Sequence, residues 1–201
     1  MHVFWETADW SGSQVEPQIT CLTWIAIADA PDDGWLGCGS ASGSVGITKT
    51  RIRPRLDVMN GAAGLQSNST TTPPLFGASA SQHHQSQQKH NQNERVNFNL
   101  RGHHSQITLA VWNHEPMKLA TCDESGIIYV WVPYEDRWSV ELVNDRGVKV
   151  RDFCWSPSGV SALICYEDNF VLIGSATGQR IWSHNYQHTI KCGTWSPDSR
   201  Q

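Results

Sequence analysis

Charge is scarce in this chain: Asp, Glu, Lys and Arg make up 17% of its 201 residues, and the net charge is −4 at pH 7. That balance supplies no positive field, so a nucleic acid partner held by its phosphates is not expected. The short basic cluster at Lys49, Arg51, Arg53 and Arg55 reads as a solvated loop. No apolar run approaches the roughly 18 residues of a membrane-crossing helix, so no membrane span is expected. The start, Met1 to Glu6, lacks the basic and apolar pattern of a secretory leader. The six cysteines contain no Cys-x-x-Cys and are too sparse for a disulfide framework. Together these absences predict a cytoplasmic protein with reduced thiols.

Catalytic signatures are missing as well. There is no Gly-x-Ser-x-Gly, P-loop or His-Glu-x-x-His. Carboxylates do occur in pairs, at Asp123 and Glu124, Glu135 and Asp136, and Glu167 and Asp168, but each pair falls where the chain turns between apolar stretches. Acidic residues at turns are commonly solvated turn formers. The histidines at 83, 84 and 90 have no surrounding cysteine or carboxylate framework for a metal. The chain is therefore read as a non-enzyme, with no catalytic residue, cofactor or metal ligand assigned.

Against these absences stands an excess of tryptophan: ten residues, four of which end similar segments. Trp24, Trp112, Trp155 and Trp195 each close a short alternating stretch and precede a polar turn. Trp112 and Trp155 lie 43 residues apart, and Trp155 and Trp195 lie 40 apart. That period is the roughly 40–45 residues of one four-stranded propeller blade. The turns recur too, as Trp155-Ser-Pro-Ser-Gly159 and Trp195-Ser-Pro-Asp-Ser199. Proline and small polar residues there reverse the chain into the next strand.

Organisation follows from composition. Residues 1–18 form an N-terminal extension, and residues 19–50 hold the first blade strands. Residues 51–94 are rich in Ser, Gln, His and Asn and are expected to be a disordered insert, because they cannot bury enough apolar surface to offset their ordering entropy. Short strands then resume over 95–201, with one complete blade near 95–143, another near 150–186 and a further first strand over 189–195. The expected fold is all-β: a partial propeller of about three blades plus one strand. A propeller needs about four to eight blades to close, so this length alone is expected not to behave as a well-folded monomer.

The residues at the second unit resemble the WD-repeat family. Gly102-His103 precedes the strand 107–112, and Trp131 ends a later strand of the same unit, with Val132 in place of the usual Asp. The resemblance implies that His103 and Trp131 join a turn acid and a strand Ser or Thr in a hydrogen-bonded set, the turn acid being either displaced to Asp123 or lost to Ser125. Gly102, His103, Trp112, Asp123, Trp131, Trp155 and Trp195 are thus the expected blade-structural residues. Trp138 and Trp182, on outer strands, are read first as packing residues, with Arg137 and Trp138 the candidates if partner contacts are made there.

Three longer stretches narrow the resemblance: residues 95–103, 137–147 and 170–180. They are similar to the N-terminal WD-repeat region of the tubby-like family. That resemblance implies a substrate-recognition part of a cullin-type ubiquitin ligase, presenting substrate peptides or proteins. Elongins and cullin would be recruited only by a later SOCS-box segment, and a tubby domain would follow. The alternative relatives are the WD-repeat subunits of the ciliary intraflagellar transport A complex, which share the blade spacing.

Overall fold

A computed structural model describes residues 18–51 and 96–198. The N-terminal extension up to residue 17 and nearly all of the predicted insert lie outside the described residues. Every element described is a β-strand, and together they form three four-stranded antiparallel sheets. The first comprises β1 (Ile19–Ile27), β2 (Ala30–Ser40), β3 (Val45–Arg51) and β4 (Asn97–Leu100), hydrogen-bonded in chain order. The second comprises β5 (Ile107–Asn113), β6 (Lys118–Asp123), β7 (Ile127–Tyr134) and β8 (Arg137–Asp145). The third comprises β9 (Val150–Trp155), β10 (Ser161–Tyr166), β11 (Phe170–Ser175) and β12 (Arg180–Asn185). Each sheet is an antiparallel meander, the form a propeller blade takes, with short turns between successive strands everywhere except from β3 to β4.

The period-2 alternation of the strands explains how the blades stack. All six residues of β6 are buried, because a middle strand is covered on both faces. Leu119 and Trp131 turn toward the first blade and pack with Ile25, Val45, Ile47 and Leu100. Ala120, Cys122, Ile128 and Val130, on the opposite face, pack with Val150, Phe153 and Ile164 of the third blade. Hydrogen bonds also cross between blades: Thr20 Oγ1 donates to Ile107 O at 2.5 Å, and Asn113 Nδ2 donates to Gly159 O at 2.8 Å.

Three expectations shift. The strand at 97–100 pairs with β3, Val45 opposite Leu100, so it completes the first blade across the insert. The second blade therefore begins at Ile107 and not near residue 95. Lys49 and Arg51 belong to β3, not to a loop, and the Lys49 ammonium sits 6.0 Å from the Trp35 ring centroid. Finally, residues 189–195 form no strand. They lie along β9 through Gly193 N–H to Asp152 Oδ2 at 2.9 Å, but no described residue offers them a ladder partner.

Candidate functional site

The second blade carries a buried hydrogen-bonded chain that begins in the connection before β5. His103 Nδ1 lies 2.7 Å from Asp123 Oδ2, and its Nε2 lies 2.8 Å from Thr121 Oγ1. Trp131 Nε1 reaches the same Oγ1 at 2.8 Å. An indole nitrogen can only donate, so the Thr121 hydroxyl accepts from Trp131 and gives its own proton to His103 Nε2. The imidazole is then neutral, with its proton on Nδ1 donated to Asp123. Burial pushes the His103 pKa below its ordinary value, outweighing the Asp123 carboxylate, in keeping with that proton count. Burial alone would raise Asp123, but the Ser125 hydroxyl, His103 and the Ile127 amide hold its pKa below the usual carboxylate value.

Local sequence explains each position. Asp123 ends β6, and its Oδ1 accepts from Ser125 N at 3.1 Å and Ile127 N at 3.0 Å, tying the turn into β7. It is buried, unlike the solvated turn acid expected from its neighbours. Gly102 is glycine because a Cβ there would lie 3.2 Å from the Tyr129 ring and 3.4 Å from the Trp131 ring. Thr121 was not singled out by sequence. It lies two residues before Asp123 and thus on the same strand face, which was the signal available.

The blade-ending tryptophans divide by environment. Trp112 is buried in the core between the first two blades, and its Nε1 has no hydrogen-bond partner. Trp155 Nε1 donates to Val111 O, and Trp195 Nε1 donates to Cys154 O, both at 3.2 Å. Each of these two indoles thus reaches the residue just before the tryptophan of the preceding blade. On the outer strand β8, the two candidate partner contacts separate. Arg137 is exposed and lies 5.7 Å from the Tyr134 ring centroid. Trp138 is 9% exposed, packed edge-on against Trp112, Trp35 and Phe98, and so presents almost no surface to a partner.

A constant offset of 43 residues maps the second blade on the third. Leu119 faces Trp131 in one and Ala162 faces Gly174 in the other. On the same offset, His103, Thr121, Asp123 and Trp131 correspond to Arg146, Ile164, Tyr166 and Gly174. The third blade therefore has no such hydrogen-bonded chain. Arg146 instead pairs with both carboxylate oxygens of Asp168, at 2.9 and 2.7 Å, and lies over the Phe170 and Tyr166 rings at 4.1 and 4.8 Å.

Nothing else among the described residues resembles a reaction centre. No group of three or more His, Cys, Asp or Glu there is placed to hold a metal. Burial pushes the thiols of Cys38, Cys154 and Cys165 up to about 11, which keeps them protonated and poor as nucleophiles. The histidines at 83, 84 and 90 lie outside the described residues. No described helix is long and apolar enough to cross a membrane.

Comparison with known proteins agrees with this architecture. The family described as WDR35/TULP4 N-terminal, a β-propeller, matches residues 14–201. Tubby-related protein 4 of human and of mouse is 45% identical over 172 residues, which is 85% of this chain and 9% of that protein. WD repeat-containing protein 35 of rat is 29% identical over 185 residues, covering 91% of this chain and 13% of that protein. The chain thus spans about a tenth of the length of these relatives. Among solved structures, a chain in the crystal structure of a mitotic checkpoint complex superposes with a TM-score of 0.52, covering 87% of this chain and 40% of its own. At 16% identity that likeness concerns the fold alone.

Proposed function

The chain belongs to the WDR35/TULP4 N-terminal β-propeller family, and from that membership we propose that it is a non-enzymatic protein-binding module, the substrate-recognition part of a tubby-like ubiquitin ligase adaptor. The observation that carries this reading is the 45% identity to tubby-related protein 4, against 29% to WD repeat-containing protein 35. In this reading the blades present substrate proteins or peptides in the cytoplasm. Elongins and a cullin bind a SOCS-box segment elsewhere in the full-length protein. Gly102, His103, Thr121, Asp123 and Trp131 act as a lock on the second blade, since a closed buried network fixes one arrangement of strands. Trp112, Trp155 and Trp195 join blade to blade. Arg137 is the outer-strand partner contact, because an exposed arginine beside an aromatic ring suits an interface anchor.

The second reading is a WD-repeat subunit of the ciliary intraflagellar transport A complex, favoured by a match to WD repeat-containing protein 35 that covers 91% of the chain. Affinity purification of the full-length protein separates the two. Elongins and a cullin among the stoichiometric partners support the ligase adaptor; recovery of intraflagellar transport A subunits without them overturns it.

A further inference from the structure

The third blade lacks the side chain that fills the second. Trp131 of β7 lies buried against the first blade, and its counterpart on β11 is Gly174. Gly174 borders a cavity of about 410 Å³ between the second and third blades, together with Ile164, Tyr166 and Arg146. These are the same four positions that hold the Trp131, Thr121, Asp123 and His103 network one blade earlier. Of these four positions only that of Trp131 is emptied, since Tyr166, Ile164 and Arg146 are each larger than the side chain they replace. Its size falls within the roughly 300–1,000 Å³ of small-ligand sites.

The walls define what would fit. Leu142, Leu172 and Phe170 give apolar surface, with the Arg146 guanidinium stacked on the Phe170 and Tyr166 rings beside them. Gly174 itself is permissive: a Cβ there would meet only Gln179 O, at 3.6 Å, an ordinary contact. At the rim the charges are unevenly satisfied. Arg146 is neutralised by Asp168, while Asp145 accepts from the Gly147 amide at 3.0 Å and keeps its negative charge at the rim. Arg180 is exposed, borders the cavity, and has no carboxylate partner among the described residues; its guanidinium donates to the Ser183 hydroxyl and lies 5.7 Å from the Phe170 ring centroid.

We propose that this inter-blade cavity binds an acidic peptide segment of a partner protein, which inserts one aromatic side chain into the space left by Gly174 and sets a neighbouring carboxylate on Arg180. The inference rests on the reading of the chain as a protein-binding module and supplies the chemistry of one partner. The ring gains the burial that Trp131 has in the second blade, and Arg180 gains a charge-assisted hydrogen bond.

The test uses the full-length protein and two blocked peptides, acetyl-Glu-Trp-Glu-amide and acetyl-Lys-Trp-Lys-amide, titrated by ligand-observed NMR. The acidic peptide is expected to bind with a Kd below about 1 mM, and the basic peptide at least about tenfold more weakly. Gly174→Trp refills the slot in cis and is expected to abolish binding, with the melting temperature unchanged or raised. Arg180→Glu, on an exposed side chain that leaves the core intact, is expected to weaken the acidic peptide about tenfold or more and to narrow the gap between the peptides. Should Gly174→Trp fail to fold, Arg180→Glu decides alone. The proposal is overturned by no acidic-peptide binding up to about 10 mM, by equal binding of the basic peptide, or by binding that Arg180→Glu leaves unchanged. A full-length protein that still recovers elongins and a cullin while failing these titrations sinks the pocket and leaves the adaptor reading standing.

Discussion

Replacing Thr121 by Val removes one oxygen and keeps the shape of a β-branched side chain, so it isolates the polar chain of the second blade. The lost Oγ1 is the shared partner of His103 Nε2 and Trp131 Nε1, each at 2.8 Å, and Thr121 is fully buried. Two buried polar atoms would be left without partners in a site closed to water. An unsatisfied buried group costs about 1–3 kcal/mol. Allowing for partial relaxation and for the methyl that replaces the hydroxyl, Thr121→Val should destabilise by about 2–4 kcal/mol. Thr121→Ser keeps the oxygen and should recover most of that loss. The assay is denaturant unfolding followed by tryptophan fluorescence, comparing midpoints at constant slope. Trp131 is part of the network, so its emission reports the same event. A Thr121→Val midpoint equivalent to less than about 0.5 kcal/mol from the parent would refute the lock, since that is the size of a neutral surface change.

Further outcomes follow from the same geometry. Because the folded His103 pKa is lowered, the unfolded state binds more protons below its ordinary value of 6.5, so stability should be highest above that pH and fall as acid is added. A second loss should set in below 3.8 as Asp123, whose folded pKa is also lowered, takes up its proton; urea midpoints from pH 7.5 to 3 would reveal a flat profile if both groups were unperturbed. Trp138→Ala should cost about 3–5 kcal/mol as a buried aromatic truncation, while Arg137→Ala should stay within about 0.5 kcal/mol. Equal effects on the two midpoints would return Trp138 to the surface. Deleting residues 60–90 should change stability by about 1 kcal/mol or less and leave partner binding intact, because loop-closure entropy varies only logarithmically with length. Loss of partners on that deletion would make the insert a recognition element.

The spacing of Trp112, Trp155 and Trp195 made the blade architecture legible, because a repeated unit must place its anchors at a fixed period. Gly102, His103 and Trp131 were legible through the resemblance to the WD-repeat pattern and not through the period, since the next unit carries Arg146 and Gly174 in place of His103 and Trp131. What sequence could not assign was strand ownership: residues 97–100 stand next to Gly102-His103 in the chain, yet pair with β3 across more than forty intervening residues. Sequence left Trp138 open between packing and partner contact, because alternation on an outer strand does not say which face meets a neighbouring blade. Opposite Val130 and Trp131 the register of β8 skips Glu141, so Leu142 and Trp138 turn to opposite faces of the sheet although they are four residues apart. Gly174 is the subtlest case. Its 43-residue relation to Trp131 is visible in the letters, but only the strand pairings show that the two occupy one position, and that an absent ring leaves a cavity.

The most direct test of the account divides the partners of the full-length protein by what this propeller region holds. Quantitative affinity purification would compare the intact protein with a form lacking residues 1–201. If the region recognises substrates for a ligase, elongins and the cullin stay bound to the shortened form at unchanged ratio, while a distinct set of other proteins is lost. Retention of every partner, or loss of elongins and cullin together with the rest, would contradict it.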